Sequence, residues 1–474
     1  MLAKARTRRR SKALREHGFE HGPPGEAQRI LDDEPLNLLP FADMMRYEEP
    51  SDVVSLGPAW AGNSVNCLPF RINGVLSHSG IRYVGFYDSN GDVVVTCLVG
   101  AKLSARTVIP NASKPTDAHV AISLGLDGGG HLHVAYGAHN SAMQIARSRS
   151  PGLAEGLCDP VRLVGDFTET TSYPMFLSSS VTGDLILLFR EGSAASGDIR
   201  AMRYDRAAMR WRDDPVALIS GRAEGGWHAG PYLNTPAIGP GGKMVLFVVW
   251  RLDPHSSTGR AINNSGIDCL VSDDELHHLA TAGGIGLTLP VTPTTAERVI
   301  AVPLGANLIN QAGAAVRADG TPMVATYWDD EAGVPQYRLG WREGSRWRVS
   351  TVSKFSERFR LDGLGTLPLP HSRPELLLDP NGTAHVMFRS RELGGRLALT
   401  SLAPPDYALA DARCRILVDE DLGFYEPVVD RLSWANGELA VYVQWCDQEA
   451  GGDEKPVFAQ AKARVMTWPR ERLS

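Results

Sequence analysis

Charge, paired cysteines and long apolar runs are all scarce in this chain. Only 22% of its residues are charged against 43% that are hydrophobic, a balance too apolar for a disordered protein. The six cysteines are scattered without a CxxC pair, which argues against a disulfide scaffold and a zinc ribbon. The longest apolar runs, such as 244–250, have strand length and are too short to span a membrane. A formal charge of −6 argues against nucleic acid as the main partner. Helical periodicity is also scarce, and 48 Gly and 31 Pro exclude a coiled coil or long-helix protein. Neither a GxSxG elbow nor a P-loop is present.

Basic residues concentrate at the start. Residues 1–16 (MLAKARTRRRSKALRE) carry seven of them and one acid, the pattern of a solvated tail. No apolar stretch of signal-peptide length follows the arginines, so the sequence favours a cytoplasmic chain over an exported one.

The dominant pattern is a short apolar strand, a tight turn ending in Gly, and a second apolar strand. It occurs at 74–87, 121–136, 175–189, 235–250, 314–328, 375–388 and 429–443. Gly or Asn supplies the positive φ that such hairpin turns need. The turn glycines are Gly80, Gly130, Gly183, Gly242, Gly320, Gly382 and Gly437. They recur roughly every 50 to 80 residues, the size of a propeller blade. The expected fold is therefore all-β: a single seven-bladed β-propeller over residues 52–474, preceded by a basic, partly disordered extension over 1–51.

A propeller carries its chemistry where the inner strands end at one mouth of the central channel. His119 precedes the second inner hairpin and His139 follows it. A hairpin returns its ends to the same sheet edge, so the two imidazoles are expected to meet. Tyr173 and Arg190 flank the third hairpin in the same way, while His131 and His133 lie nearer the turn. Two imidazoles, a phenol and a guanidinium lack the paired carboxylates of ordinary glycoside hydrolysis. They suit β-elimination from a uronic acid. There a cation must neutralise the carboxylate beside the C5 proton, a base of near-neutral pKa must remove that proton, and an acid must protonate the departing O4.

At these residues the chain resembles the BNR-repeat-like seven-bladed propeller proteins that include ulvan lyases and L-rhamnose-α-1,4-D-glucuronate lyases. The signatures are WAGNSVN (60–66), DAH (117–119), DGGGHLHVAYGAHN (127–140), SYP (172–174) and FREG (189–192). YLN (232–234), VWR (249–251), INQ (309–311), SRPELLLD (372–379) and YEPVVD (425–430) extend the likeness to the C-terminal part. The resemblance implies a catalytic group of His119, His139, Tyr173 and Arg190. His139 and Tyr173 would move protons, in either assignment of base and acid, while His119 and Arg190 would neutralise the uronate. Asn66, Asn234, Arg251, Gln311 and Arg373 are candidate sugar-binding residues. No cofactor is required by such chemistry, and a divalent cation, if present, is expected to be structural. The expected partner is a uronate-containing polysaccharide or oligosaccharide, with no nucleic acid and no membrane. The chain departs from the family at DAHV, where Asn usually follows the first His, and across 261–278. A sialidase-like hydrolase and a non-catalytic glycan-binding propeller are the alternatives.

Overall fold

The computed structural model describes residues 29–30, 45–69, 71–111, 115–154, 156–157, 161–162, 168–212, 215–222, 228–252, 262–311, 313–363, 365–448 and 459–474. The basic residues 1–16 and Cys158 lie outside them. Strands dominate, and no helix among the described residues is long and apolar enough to cross a membrane.

Hydrogen bonding groups the strands into seven sheets of four to seven strands. Six of these are blades that take an inner hairpin and the strands after it from one stretch of chain, within 75–109, 123–162, 171–220, 229–300, 313–351 and 375–418. Their turn glycines have φ between +74° and +88°, the left-handed region that residues with a Cβ avoid.

The seventh repeat departs from the expectation of seven equal blades. Val428–Val429 runs into a five-residue helix, Arg431–Ala435, before Glu438–Val443 returns. Asp430 caps this helix by accepting from the Ser433 backbone N–H, so a helical turn stands where a tight β-turn was expected. That sheet is completed from both ends of the described chain: Asp52–Trp60 pairs antiparallel with Gln460–Pro469, which pairs with Glu438–Val443. Six contiguous blades and one composite closing sheet replace seven equivalent repeats.

Contacts between neighbours run around the whole ring. The guanidinium of Arg203 in blade 3 donates to the Glu275 carbonyl of blade 4. Arg431 of the closing sheet donates to Glu375 of blade 6 at 2.6 Å, and Arg82 of blade 1 reaches Ser433 at 3.1 Å. Elsewhere the inner strands pack so closely that only glycine fits. A Cβ at Gly313 would lie 2.5 Å from the Leu376 backbone nitrogen of the next blade. Bulky side chains fill the spaces between sheets, with Trp250, Trp341 and Trp468 almost wholly buried.

Two short strands precede Asp52. Arg29–Ile30 pairs in parallel with the outer strand of blade 5 and Arg46–Tyr47 with that of blade 6. The chain before the ring thus covers strand edges that would otherwise present unpaired backbone groups.

Because the neighbour of Gly313 is backbone, the clash cannot be relieved by a rotamer change. Gly313→Val is expected to destabilise the fold by ~1–3 kcal/mol, seen as a lower urea midpoint. An unchanged midpoint would show that the inner strands are not in this close contact.

Candidate active site

The site forms where blades 2, 3 and 4 meet at the channel mouth. Blade 2 supplies Asp117 and His119 from the segment before Ser123–Leu126. His139 begins a three-residue strand, His139–Ser141, that leaves blade 2 and pairs antiparallel with the inner strand of blade 3, opposite Ser172. Tyr173 follows Ser172 at a register shift in the same inner strand, with φ +57°. Such a left-handed tyrosine is strained, and the bulge turns its ring toward the histidines. Arg190 pairs with Ser172 on the returning strand.

These four residues do come together. The His119 and His139 rings stack with centroids 4.1 Å apart and an interplanar angle of 20°. The Tyr173 centroid is 6.1 Å from each, and Arg190 Cζ lies 4.7 Å from the Tyr173 centroid. His131 and His133 are engaged elsewhere: His131 Nδ1 lies 3.0 Å from the Ser148 carbonyl, and His133 Nε2 lies 3.1 Å from Asp127.

One carboxylate holds both imidazoles. Asp117 Oδ1 lies 2.8 Å from His119 Nδ1 and accepts the His119 backbone N–H at 2.8 Å, while Oδ2 bonds His139 Nδ1. Burial pushes the Asp117 carboxyl up, but its hydrogen bonds with His119 and His139 outweigh that and hold it well below the usual carboxylate range. An ionised carboxylate can only accept, so each Nδ1 carries the hydrogen that faces it. The Thr366 hydroxyl lies 3.4 Å from His119 Nε2. Burial pulls His139 below the ordinary imidazole value, against the opposing hydrogen bond to Asp117. His139 therefore stays neutral, and able to accept a proton, to lower pH than a free imidazole.

Arg190 presents the opposite case. It is 1% exposed, its Nη2 donates to Ser172 Oγ at 3.4 Å, and its Nε and Nη1 have no hydrogen-bond partner. No carboxylate among the described residues pairs with it. Burial alone would lower its pKa, yet the Tyr232 and Tyr173 phenols offset this and raise it, so it is a permanent cation. A buried cation without a counter-charge is costly, and an anion entering the site would relieve that cost.

Beyond Arg190 the polar surface continues into blades 4 and 5. Arg251 donates to Tyr232 Oη at 3.0 Å, to Asn310 Oδ1 at 2.9 Å and to Asn264 Oδ1 at 3.3 Å. Gln311 is buried at φ +61°, and its Nε2 has no partner. Arg373 is neutralised by Glu426 at 2.5 Å and donates to the Asn310 carbonyl at 2.8 Å. Asn234 is 1% exposed.

Asn66 departs from its expected sugar-binding role. It is fully buried, its Nδ2 donates to the Tyr87 carbonyl at 2.8 Å and the Trp60 carbonyl at 3.2 Å, and its Oδ1 accepts the Tyr87 N–H at 2.8 Å. These bonds pin a loop to the end of blade 1 and leave the amide nothing to offer a ligand.

Four further residues were not singled out from sequence: Asp117, Tyr232, Asn264 and Thr366. Asp117 and Tyr232 sit inside motifs already noted, DAH and YLN. Asn264 falls within 261–278, where the chain departs from the family, and Thr366 carries no sequence signal. Asp117, His119 and His139 also form the one group among the described residues whose ligand atoms lie within 4.8 Å of one another, close enough for a metal ion. Their hydrogen bonding already engages both Nδ1 atoms.

An all-β propeller whose clustered histidines stand beside a buried arginine that pairs with no carboxylate among the described residues defines the class. Residues 81–355 match the model of the BNR repeat-containing family, and the chain belongs to that family. No curated protein matches it. Among solved structures it is similar to a polysaccharide lyase PL25 ulvan lyase bound to -[GlcA(1-4)Rha3S]-, at 14% identity and TM-score 0.64, covering 88% of this chain and 95% of that one. A second structure of a polysaccharide lyase PL25 ulvan lyase is similar at 15% identity and TM-score 0.63, covering 88% of this chain and 95% of that one. A GH93 α-L-arabinofuranosidase of Fusarium graminearum matches at 12% identity and TM-score 0.42, covering 89% of this chain and 99% of that one. At these identities the ulvan lyase likeness establishes the propeller fold.

The shared carboxylate makes a signed prediction for Asp117→Asn. The amide removes the negative charge that favours imidazolium while burial remains, so His139 should titrate lower still by NMR. A rise toward the ordinary value of about 6.5 would contradict the clasp.

Proposed function

We propose that the protein is a polysaccharide or oligosaccharide lyase that cleaves the bond at C4 of a glucuronate-type uronic acid by β-elimination, leaving an unsaturated uronate. The observation that carries this reading is Arg190, a buried guanidinium that has two nitrogens without a hydrogen-bond partner and pairs with no carboxylate among the described residues, set beside groups that can move a proton. The substrate carboxylate takes the place of the missing counter-ion. Its neutralisation acidifies the C5 proton, because the charge that develops on elimination spreads onto a carboxylate already held by a cation. His119 assists when its Nε2 is protonated, with Asp117 stabilising the imidazolium at Nδ1.

His139 and Tyr173, whose ring lies 6.1 Å from both imidazoles and 4.7 Å from Arg190 Cζ, perform the proton transfers, in either assignment or with one of them serving as both base and acid. The C5–H electron pair forms the C4=C5 double bond, the C4–O4 bond breaks with its electrons leaving on O4, and O4 receives a proton. No cofactor enters this scheme. Arg251, Gln311 and Arg373 line the continuation of the site and offer donors to neighbouring sugars, and rhamnose is a candidate neighbour by likeness to the ulvan lyase.

Hydrolysis finds less support. Among the described residues the carboxylate bonded to the histidines, Asp117, is engaged by both of them, and no second carboxyl group is paired with it across a bond to be hydrolysed. A sialidase-like nucleophile pair is not favoured at Tyr425 and Glu426 either. The Tyr425 hydroxyl donates to the Tyr442 carbonyl at 2.7 Å, and Glu426 is bonded to Arg373.

Incubation with ulvan, rhamnose-capped glucuronate chains and related uronate polymers should release ultraviolet-absorbing unsaturated uronates, and Arg190→Met should remove that activity. Chain shortening without the chromophore would indicate a hydrolase, and no product across the panel would contradict the lyase reading.

A further inference from the structure

Tyr232 is the group in this region that the scheme above leaves without a role. Its ring lies between two guanidiniums: Arg251 Cζ is 4.4 Å from the centroid and Arg190 Cζ is 5.1 Å from it. Its hydroxyl accepts from Arg251 Nη1 at 3.0 Å, and its centroid is 6.0 Å from that of Tyr173. The other partners of Arg251 are the neutral amides Asn264 and Asn310. Two cations thus meet at one phenol, and neither has a carboxylate among the described residues.

We propose that Tyr232 is the proton-holding partner of Tyr173: the two phenols together carry a single proton, and the negative charge rests on Tyr232 between Arg190 and Arg251. This inference rests on the elimination reading for its catalytic half and on geometry alone for its electrostatic half. Arg190 faces both rings, with Cζ 4.7 Å from the Tyr173 centroid and 5.1 Å from that of Tyr232, so Arg251, which donates to the Tyr232 hydroxyl at 3.0 Å, is the group that favours charge on Tyr232. Arg190 and Arg251 flank Tyr232, while His119 and His139 lie beyond Tyr173 with Asp117 behind them.

The titration tendencies agree. Burial pushes Tyr232 up, but the positive charges of Arg251 and Arg190 outweigh it and bring the phenol below its ordinary value. Burial and the neighbouring Tyr232 push Tyr173 up. Two phenols driven apart in this way titrate as a pair.

In the reaction, the Tyr173 hydroxyl proton passes to the Tyr232 oxyanion. The freed Tyr173 oxyanion takes the C5 proton while the C4=C5 double bond forms and the C4–O4 bond breaks. Tyr173 gives that proton to O4, and Tyr232 returns its own to Tyr173. The net change is transfer of one proton from C5 to O4. Tyr232 never touches the sugar in these steps and is a positioning residue.

The test is near-ultraviolet difference absorbance of tyrosinate during a pH titration, which needs no substrate. One of the twelve tyrosines should ionise below the ordinary phenol value of about 10. The signal should vanish in Tyr232→Phe, survive in Tyr173→Phe and move up in Arg251→Gln, which serves if Tyr232→Phe does not fold. On an active substrate, Tyr232→Phe should lower kcat on the order of 10²-fold at neutral pH with KM little changed, and regain rate as pH rises. A titration identical in wild type, Tyr232→Phe and Arg251→Gln overturns the proposal whatever the substrate proves to be. An early tyrosinate lost in Tyr232→Phe, in a protein that eliminates no uronate, would uphold the electrostatic half and remove the lyase reading instead.

Discussion

A guanidinium buried without a carboxylate is the constraint around which the site is organised. Arg190 is 1% exposed and keeps two nitrogens unpartnered, a state that folding does not favour unless something else holds it. What holds it is aromatic and rigid. Its Cζ lies 4.7 Å from the Tyr173 ring centroid and 5.1 Å from that of Tyr232, and the inner strands of blades 3 and 4 carry those rings. Among the described residues the cation pairs with no carboxylate, and the two cations Arg190 and Arg251 share one phenol, Tyr232. The charge of Arg190 remains available to an anion that arrives from outside.

Asp117 divides the remaining charge in a complementary way. A single carboxylate satisfies both imidazoles at Nδ1, while the Thr366 hydroxyl lies 3.4 Å from His119 Nε2. The acid is thus turned away from Arg190 and toward the histidines. A strand of three residues makes this possible: His139–Ser141 crosses from blade 2 to pair with blade 3, and so stacks His139 on His119 beside Tyr173. The strain at Tyr173, at φ +57°, is held by hydrogen-bonded strands on both sides of it.

Much of the fold was legible because glycine has a physical signature. A hairpin turn needs positive φ, and the glycines of six blades stand there. The seventh repeat was misread because ANG after an apolar run looks the same whether a β-turn or a capped helix precedes it. Asp430, which caps that helix, was the residue that distinguished the two. The His119, His139, Tyr173 and Arg190 cluster was legible because a hairpin must return its ends to one edge. Asp117 and Tyr232 were harder to find, since their importance lies in partners brought from other segments. Asn66 shows the converse: a motif asparagine reads alike whether its amide faces a ligand or is fully bonded to backbone, and here it is bonded to Trp60 and Tyr87.

The most direct test of the central claim separates the carboxylate from the rest of the substrate. Calorimetry would compare a glucuronate-bearing oligosaccharide with its carboxyl-reduced counterpart, using Tyr173→Phe protein so that neither is consumed. A charge-assisted contact with Arg190 predicts that the acid binds on the order of 10- to 100-fold more tightly, and that the preference disappears when Arg190→Met is added. Equal affinities for the two sugars, or a preference that survives Arg190→Met, would contradict the account.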